Sequence, residues 1–354
     1  MIAETGEARL PIGIIDSRAS DPMRRWSTLE FLGDSLAGDV DTRTWCDDAG
    51  DAAVVGFDFT GTRVPLTFDL AKLLGASDDG IGRRWLVLGA SVRFRHTLYG
   101  DGSKLAPLME RIHREARLLG YDGIVVPWVD VDDEDRQDLL GQLGYRAVFY
   151  DADWYVDCAG RGDLEELIAS MPRTARKQFT NDRNRFALTG TRFRDWRAGD
   201  ERFALGMHRD FMSDYGHERA EFRDEAFARF ASLPGATIRV AEDESGRLVG
   251  YVMALRDDST MHVLRWGRPS GDVPDRLYAN LGYLDPLMQA TRAGVDRVWL
   301  GKNAHRFKQL RGLIPVPATF NFLALDPERH AGLAPVAAAA DAAARSRYES
   351  ALEL

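Results

Sequence analysis

The sequence predicts an α+β protein made of two tandem copies of one unit, each with a mixed central sheet. Three observations lead there. The chain has 354 residues, more than one ordinary core fills, since single cores stop growing near roughly 250–300 residues. Its composition, 45% apolar, 29% charged and 10% aromatic, is that of a folded globular chain. The order of strand-like and helix-like periodicities in the first half then recurs in the second.

In the first half, LPIGIID reads as a short strand, Arg24 to Ser35 as a helix and DVDTRTWCDDAGD as an acidic loop. AAVVGFDF and VPLTFDL flank Thr60-Gly61 as a hairpin, the glycine supplying the positive φ of the turn. RRWLVLGAS is an apolar strand and VRFRHTLYGDGSK a polar loop. Leu105 to Leu119 is an amphipathic helix, with Leu105, Leu108, Met109, Ile112, Ala116 and Leu119 on one face, and it stops at Gly120. YDGIVVPW is then a buried strand, DDEDRQDLLGQLG a helix with acids in its first turn and glycine at its end, and YRAVFYDADWYVD a long strand.

The second half runs in the same order. ATIRVAED and RLVGYVMALRDD flank Glu244-Ser245-Gly246 as a hairpin, and TMHVLRWG is a further strand. A loop with Pro269, Gly271 and Pro274 leads into the helix LYANLGYLDPLMQATRAG, after which DRVWLGK, NAHRFKQLRG and VPATFNFLALD read as strand, helix and long strand. LLGYDGIVVPW aligns with RAGVDRVWLGK, and GQLGYRAVFY with KQLRGLIPVPATFNF. Between the copies lie two basic stretches and a helical region from Glu201 to Leu233. The expected domains are residues 1–157 and 158–328. An Ala-rich helix over 329–354 has too few large apolar side chains for a core of its own and is expected to pack back on the body.

The chain is acidic, with a formal net charge of −9, which excludes wholesale nucleic-acid binding because counterion release needs many cationic contacts on one surface. An anionic partner must be met locally. Positive charge is concentrated in MPRTARKQFTNDRNRF, where Arg173, Arg176, Lys177, Arg183 and Arg185 stand against Asp182. With Ser170 as N-cap and Pro172 in the first turn, a helix here sets these cations along neighbouring rows, with Arg173 and Arg176 where the first backbone N–H groups point outward. Phosphate suits such an end; docking on the acidic loops at 39–51 or 130–135 is the alternative use. Cys46 and Cys158 lie far apart without CxxC spacing, so neither a disulfide framework nor a metal site is expected. MIAETGEARL has no basic n-region or apolar h-region, and no run approaches the roughly 18 apolar residues of a spanning helix. A cytoplasmic protein without membrane insertion is expected.

Three stretches resemble one family. LIASMPRTARKQF is similar to the basic helix that opens its second copy, HERAEFRDEAFARF to the helix before its second meander, and HRFKQLRGLIP to its Y-x-F-K-x-x-F/R-G element. With the repeated order of elements, they resemble the tandem-GNAT Fem-type peptidyltransferases and related tRNA-dependent aminoacyltransferases, over nearly the whole chain but through short motifs. The resemblance implies two GNAT-like domains of the acyl-CoA N-acyltransferase fold. It implies an aminoacyltransferase that forms an amide from aminoacyl-tRNA and an amine acceptor, a small metabolite or a nucleotide-linked, peptidoglycan-type precursor. No cofactor is implied, the tRNA 3′ end is the partner, and Lys308 is the catalytic residue facing the donor ester. His305-Arg306 replace the family's usual Leu-Tyr, and Leu313 departs from its aromatic pattern after the glycine.

Amide formation by acyl transfer needs a neutral amine, a donor for the developing oxyanion and in-line placement. Lys308 lies in a stretch without acids between Asp296 and Asp326, flanked by Lys302, Arg306 and Arg311. Such a cluster is costly unless a phosphate or a developing negative charge meets it; solvated helix-face charge is the alternative. The candidate substrate-binding residues are Arg173, Arg176, Lys177, Arg219, Arg223, His262, Trp266, Lys302, Arg306 and Arg311. Arg219 and Arg223, one helical turn apart, suit a carboxylate or phosphate, although Glu218, Glu221, Asp224 and Glu225 offer local salt bridges. Alternation places His262 and Trp266 on one strand face that could line a cleft, and a lone strand histidine is more often a core residue.

Arg268-Pro-Ser-Gly271-Asp-Val273 matches the first half of the R/Q-x-x-G-x-G/A loop that cradles the CoA pyrophosphate in most GNAT enzymes. Arg268 and Gly271 are therefore cofactor-binding candidates if acetyl-CoA or another acyl-CoA is the donor. Val273 adds a side chain, Pro274 removes a donor and Asp272 adds a repelling charge, which disfavours that donor. A non-catalytic module that binds a nucleotide or sugar phosphate is the third reading.

Overall fold

A computed structural model of the chain describes residues 15–16, 21–35, 40–59, 70–76, 81–89, 96–214 and 225–353. After a 3-10 turn at Pro22–Arg24 come α1 (Trp26–Ser35), β1 (Asp41–Cys46), β2 (Ala53–Asp58), α2 (Leu70–Leu74), β3 (Trp85–Val87) and β4 (Leu98–Tyr99). The first copy ends with α3 (Gly102–Leu118), β5 (Gly123–Asp130), α4 (Glu134–Gln142) and β6 (Arg146–Asp157). Then follow α5 (Leu164–Ser170), α6 (Arg173–Ala187), β7 (Arg192–Asp195), α7 (Glu201–Asp214), α8 (Ala226–Ala231), β8 (Ala236–Glu242), β9 (Leu248–Arg256) and β10 (Thr260–Gly267). The helix α9 runs Leu277–Ala279, through a π-helical turn Asn280–Leu284, into Asp285–Ala293. The chain closes with β11 (Arg297–Trp299), α10 (His305–Gln309), β12 (Ile314–Ala324), α11 (Pro327–Gly332) and α12 (Ala334–Glu353).

Among the described residues these strands form one 12-stranded sheet in the order β1-β2-β3-β5-β12-β6-β11-β10-β9-β8-β7, with β4 beside β2. The order shows that the two copies exchange their closing strands. β12, from the second copy, pairs with β5 of the first, and β6, from the first, pairs with β11 of the second. At the centre β6 and β12 run antiparallel from Ile314↔Tyr155 to Phe322↔Arg146. Phe320 and Phe322 of β12 point into a core with Val125, Val148 and Trp85, while Thr319 and Asn321 point the other way, where Gln137 donates to Thr319 at 2.8 Å. Neither half of the sheet is complete without a strand from the other.

Helices cover both faces. The apolar stripe of α3 packs against β5 and β3 residues such as Ile124, Val126 and Leu86. In the second copy Tyr251, Met253 and Leu255 of β9 face a core with Phe227 and Phe230 of α8, whereas Val252 and Ala254 face the core under α5, α6 and α9. The Ala-rich α12 lies on β6. There the Asp341 carboxylate accepts the Phe149 N–H at 2.6 Å, where a β-bulge interrupts the β6/β12 ladder, and the Tyr348 ring packs tilted against Phe149. No helix among the described residues is long and apolar enough to cross a membrane.

Several expectations change. Residues 41–46, read as acidic loop, form the edge strand β1, whose polar outward side chains hide its alternation and whose Trp45 packs inward. The hairpin at Thr60-Gly61 lies outside the described residues, as does most of LPIGIID, in which Ile15 and Asp16 are helical. Ser170 ends α5, its hydroxyl donating to the Leu167 carbonyl, and the basic helix starts behind Pro172 without a side-chain cap. The polar stretch 92–104 contains the short β4, and α3 already begins at Gly102.

Because the central pairing joins both copies, denaturant unfolding should be a single transition, coincident by tryptophan fluorescence and circular dichroism. Phe320→Ala should lower stability by about 3–5 kcal/mol. Burial holds the imidazole of His208 down at about 3 and those of His96 and His113 at about 4. Between those values and the unfolded value near 6.5 the unfolded chain binds more protons, so stability should fall as pH drops from about 6.5 toward 4. His208→Gln should flatten that slope in a series of melting curves.

Candidate functional site

The cleft originates in a parting of strands. β10 and β11 are parallel and pair only from Thr260↔Arg297 to His262↔Trp299. β10 then bulges between Val263 and Arg265 and continues to Gly267, while the chain beyond Trp299 turns to β6, Leu300 N–H donating to the Trp154 carbonyl at 2.7 Å. Bulges beside splayed strands re-aim side chains. Between β10, the first half of α9, α7 and the turn at 300–304 opens a cavity of about 1230 Å³.

Its walls are aromatic: Trp266 lies against Phe211 and Tyr278, and Phe307 against Tyr278 and Tyr283. Among the described residues Lys72, Arg265, Arg268, Arg276 and Lys302 line it together with Asp275; Arg268 pairs with Asp214 at 2.8 Å, and Arg276 lies 3.6 Å from both Asp182 and Asp275. The Lys302 ammonium donates to the Tyr150 hydroxyl at 2.6 Å and lies 5.4 Å from the Trp128 ring centroid. On its far side Lys302 borders a narrow recess with Trp128, Asp130, Asp151 and Asp153.

Backbone strain gathers here. Among the described residues the non-glycine positions at positive φ are Trp128, Arg276, Asn303 and Ala304; the last three line the cavity and Trp128 borders the recess. Each such conformation costs roughly 1 kcal/mol and persists only where its surroundings over-determine it.

Part of that support is a buried ion network. Asp182, on the inner side of α6, is fully buried, and its Oδ2 accepts from Arg311 Nε at 2.9 Å and Nη2 at 2.5 Å. Arg311 also donates to the Phe307 carbonyl and stacks 3.3 Å over the Phe307 ring. The other oxygen of Asp182 lies 3.6 Å from Arg276 Nη1. Asn280 donates to the carbonyls of Asp182 and Arg276 at the start of the π-turn, and π-turns commonly mark functional positions. Asp182 thus fixes Arg276 and, through Arg311, Phe307 with its carboxylate, and the turn that carries Tyr283 with its backbone carbonyl.

The expected residues fall into several groups. Trp266, Lys302, Arg268 and the loop of Gly271 belong to the cleft region. Lys308 does not line the cleft. It is fully buried, and its ammonium donates to the carbonyls of Gly301 and Lys302, holding the turn from beneath. The helix begins at His305 after the left-handed Ala304, which turns Lys308 inward. Arg311 is spent on Asp182, and Arg306 is exposed and donates to Gln309 at 2.7 Å.

On α6, Arg173 and Lys177 are exposed, and Arg176 caps α5 through the carbonyls of Ala169 and Met171. Arg183 and Arg185 meet Glu165 and Asp275 rather than the acidic loops at 39–51 or 130–135. His262 and Trp266 do not share a face. The bulge between them shifts the register, so His262 stands opposite Leu255 and Trp266 opposite Val252, on opposite sides of the sheet. His262 is buried, 2.9 Å from Asp21 and stacked on Trp299. Arg219 and Arg223 lie outside the described residues.

Sequence reasoning missed Asp182, Arg276, Lys72, Arg265 and, apart from Trp266, the aromatic wall of Phe211, Tyr278, Tyr283 and Phe307. A single acid within a basic helix was the one available sign of Asp182. His305 beside the cleft is locked as the Nε2–H tautomer, its Nδ1 accepting from Trp154 Nε1 at 3.0 Å and its Nε2 lying 3.2 Å from Asp151.

No protein-family model matches the chain, and no curated protein matches its sequence. Solved structures do. L-PGS from Bacillus licheniformis superposes with a TM-score of 0.58 at 12% identity, over 88% of this chain and 90% of that one. FemX superposes with a TM-score of 0.59 at 12% identity, over 87% and 94%. The C-terminal DUF2156 domain of a protein described as a lysylphosphatidylglycerol synthetase from Agrobacterium fabrum gives 0.56 at 11% identity, over 94% and 96%. The chain shares their fold, and the expected tandem GNAT-like architecture is the one it has.

Removing the carboxylate at the centre of the ion network leaves a guanidinium buried without its partner. Asp182→Ala should therefore destabilise by about 3–5 kcal/mol in urea unfolding, whereas Arg183→Ala, which breaks an exposed pair, should change stability by less than about 1 kcal/mol.

Proposed function

We propose that this protein is an acyltransferase that forms an amide, moving an aminoacyl group from the 3′ end of aminoacyl-tRNA to an amine acceptor, a small metabolite or a nucleotide-linked precursor. The observation that carries this reading is the cleft where β10 and β11 part, with tilted and edge-on aromatic rings in its walls and the cationic side chains of Lys72, Arg265, Arg276 and Lys302 among its described lining. Rings of that kind stack a nucleobase, and the cations meet phosphates. The fold shared with FemX and L-PGS supports it, as does the Fem-type resemblance of the sequence.

In the reaction the acceptor nitrogen attacks the ester carbonyl carbon. The new C–N bond forms as the ester C–O bond breaks, and the ribose hydroxyl leaves with the proton that the amine gives up. Lys302, held by Tyr150 at the edge of the cleft, is the donor we assign to the developing oxyanion. Lys308 is a positioning residue, fixing the carbonyls of Gly301 and Lys302. Asp130, Asp151 and Asp153 lie on the far side of Lys302, and their negative charge favours an ammonium acceptor near it. Arg276 and Arg265 face the donor's phosphates, and exposed Arg173 and Lys177 extend the cationic surface along α6.

Incubation with a mixture of labelled aminoacyl-tRNAs, and separately with labelled acetyl-CoA, in the presence of candidate amines should consume an aminoacyl-tRNA and leave acetyl-CoA untouched. Lys302→Ala and Arg276→Ala should each lower kcat/KM at least about tenfold while the protein stays folded, and donor use should weaken steeply with salt. Consumption of acetyl-CoA, or nucleotide binding without turnover of any donor, would refute the reading.

A further inference from the structure

At the outer end of the cleft, the loop between β10 and α9 has the form of an anion-binding turn. It links a strand to a helix, carries Arg268, and turns on Gly271 at φ +90°, where nothing lies within 4 Å of the position a Cβ would take. Turns of this form offer backbone N–H and guanidinium donors to anions. Here the donors are already engaged by the chain's own carboxylates. Ser270 N–H donates to Asp210 at 3.1 Å. Arg268 Nη2 donates to Asp214 at 2.8 Å, and its Nη1 to the Pro269 carbonyl at 3.0 Å. Asp210 and Asp214 are one turn apart on α7, so both reach the loop together, and the same helix supplies Phe211 and Met212 to the cavity wall. Further along the loop Pro274 has no N–H to give, and Asp272 and Asp275 add negative charge.

We propose that Asp210 and Asp214 are specificity-determining residues. They occupy the loop's anion donors as an internal carboxylate pair, so that the site accepts an acyl group carried on a nucleoside ester and refuses one carried on a diphosphate-linked nucleotide. A diphosphate entering here must displace both carboxylates and then stay beside their charges, and like charges at such distances repel. The proposal rests on the acyl-transfer reading of the cleft and adds the basis on which the donor is chosen.

Isothermal titration with adenosine, ADP and desulfo-coenzyme A, on the full-length native chain, D214N, D210N/D214N and D210N/D214N/R268Q, tests it. Adenosine should bind all four alike. ADP and desulfo-coenzyme A should bind D210N/D214N at least about tenfold more tightly than the native chain, and R268Q should cancel the gain. Asp214 is 39% exposed, so D214N keeps the fold in case the double variant does not, and it should show part of the gain. Equal ADP affinity in the native chain and in D210N/D214N, whether weak or tight, overturns the proposal. The transfer assay fails independently. A native chain that consumes aminoacyl-tRNA yet binds ADP as tightly as D210N/D214N remains a transferase without this filter. A chain that gains ADP binding on substitution but consumes no donor keeps the filter and loses the transfer reaction.

Discussion

The antiparallel pairing of β6 with β12 is the constraint on which the rest of this structure depends. Each of these strands closes the sheet of the copy it does not belong to by sequence. Their contact is therefore at once an internal ladder and the seam between the copies. An ordinary interface between domains buries modest, partly polar surface and leaves relative motion as the default. A shared ladder of backbone hydrogen bonds between Ile314↔Tyr155 and Phe322↔Arg146 removes that freedom. Residues from both copies can then meet at fixed distances, as Tyr150 of β6 does with Lys302 after β11.

The cleft follows from the same arrangement. β11 has β6 on one side and β10 on the other, but it is only three residues long, so β10 outruns it and the two separate. The opened space is shaped by a bulge, a π-turn and three left-handed residues, none of which a regular sheet and helix would contain. Asp182 reconciles these departures, because its carboxylate and its carbonyl reach Arg311, Arg276 and Asn280 at once. The candidate site is built from the irregular positions, and the core from the regular ones that surround them.

Much of the fold was legible because it is local. The leucine stripe of α3, the glycine after it, and the hairpin at Glu244-Ser245-Gly246 are short-range signals, and the repeat emerged from their order. The exchanged strands were not legible, because pairing between β5 and β12 is decided by competition among distant edges and leaves no mark in either strand. β1 was hidden by its exposed Asp41 and Thr42 and half-buried Arg43 and Thr44, as polar edge strands commonly are. His262 and Trp266 were placed on one face by an alternation that the bulge breaks. Lys302, expected from clustered charge, and Trp266, expected from strand alternation, do line the cleft. Arg276 was not expected, since a left-handed arginine before a helix has no sequence signature, and Lys308 was expected to face a ligand when its partners are carbonyls of its own chain.

The exchanged strand also has a history within each molecule. On the ribosome β5 emerges long before β12, and at roughly 5–20 residues per second the open edge waits on the order of tens of seconds. During that interval the nascent first copy presents the unsatisfied backbone groups along the outer edge of β5 to whatever passes. Synthesis rate, chaperone supply and temperature therefore bear on the yield of native protein more heavily than on its stability once made.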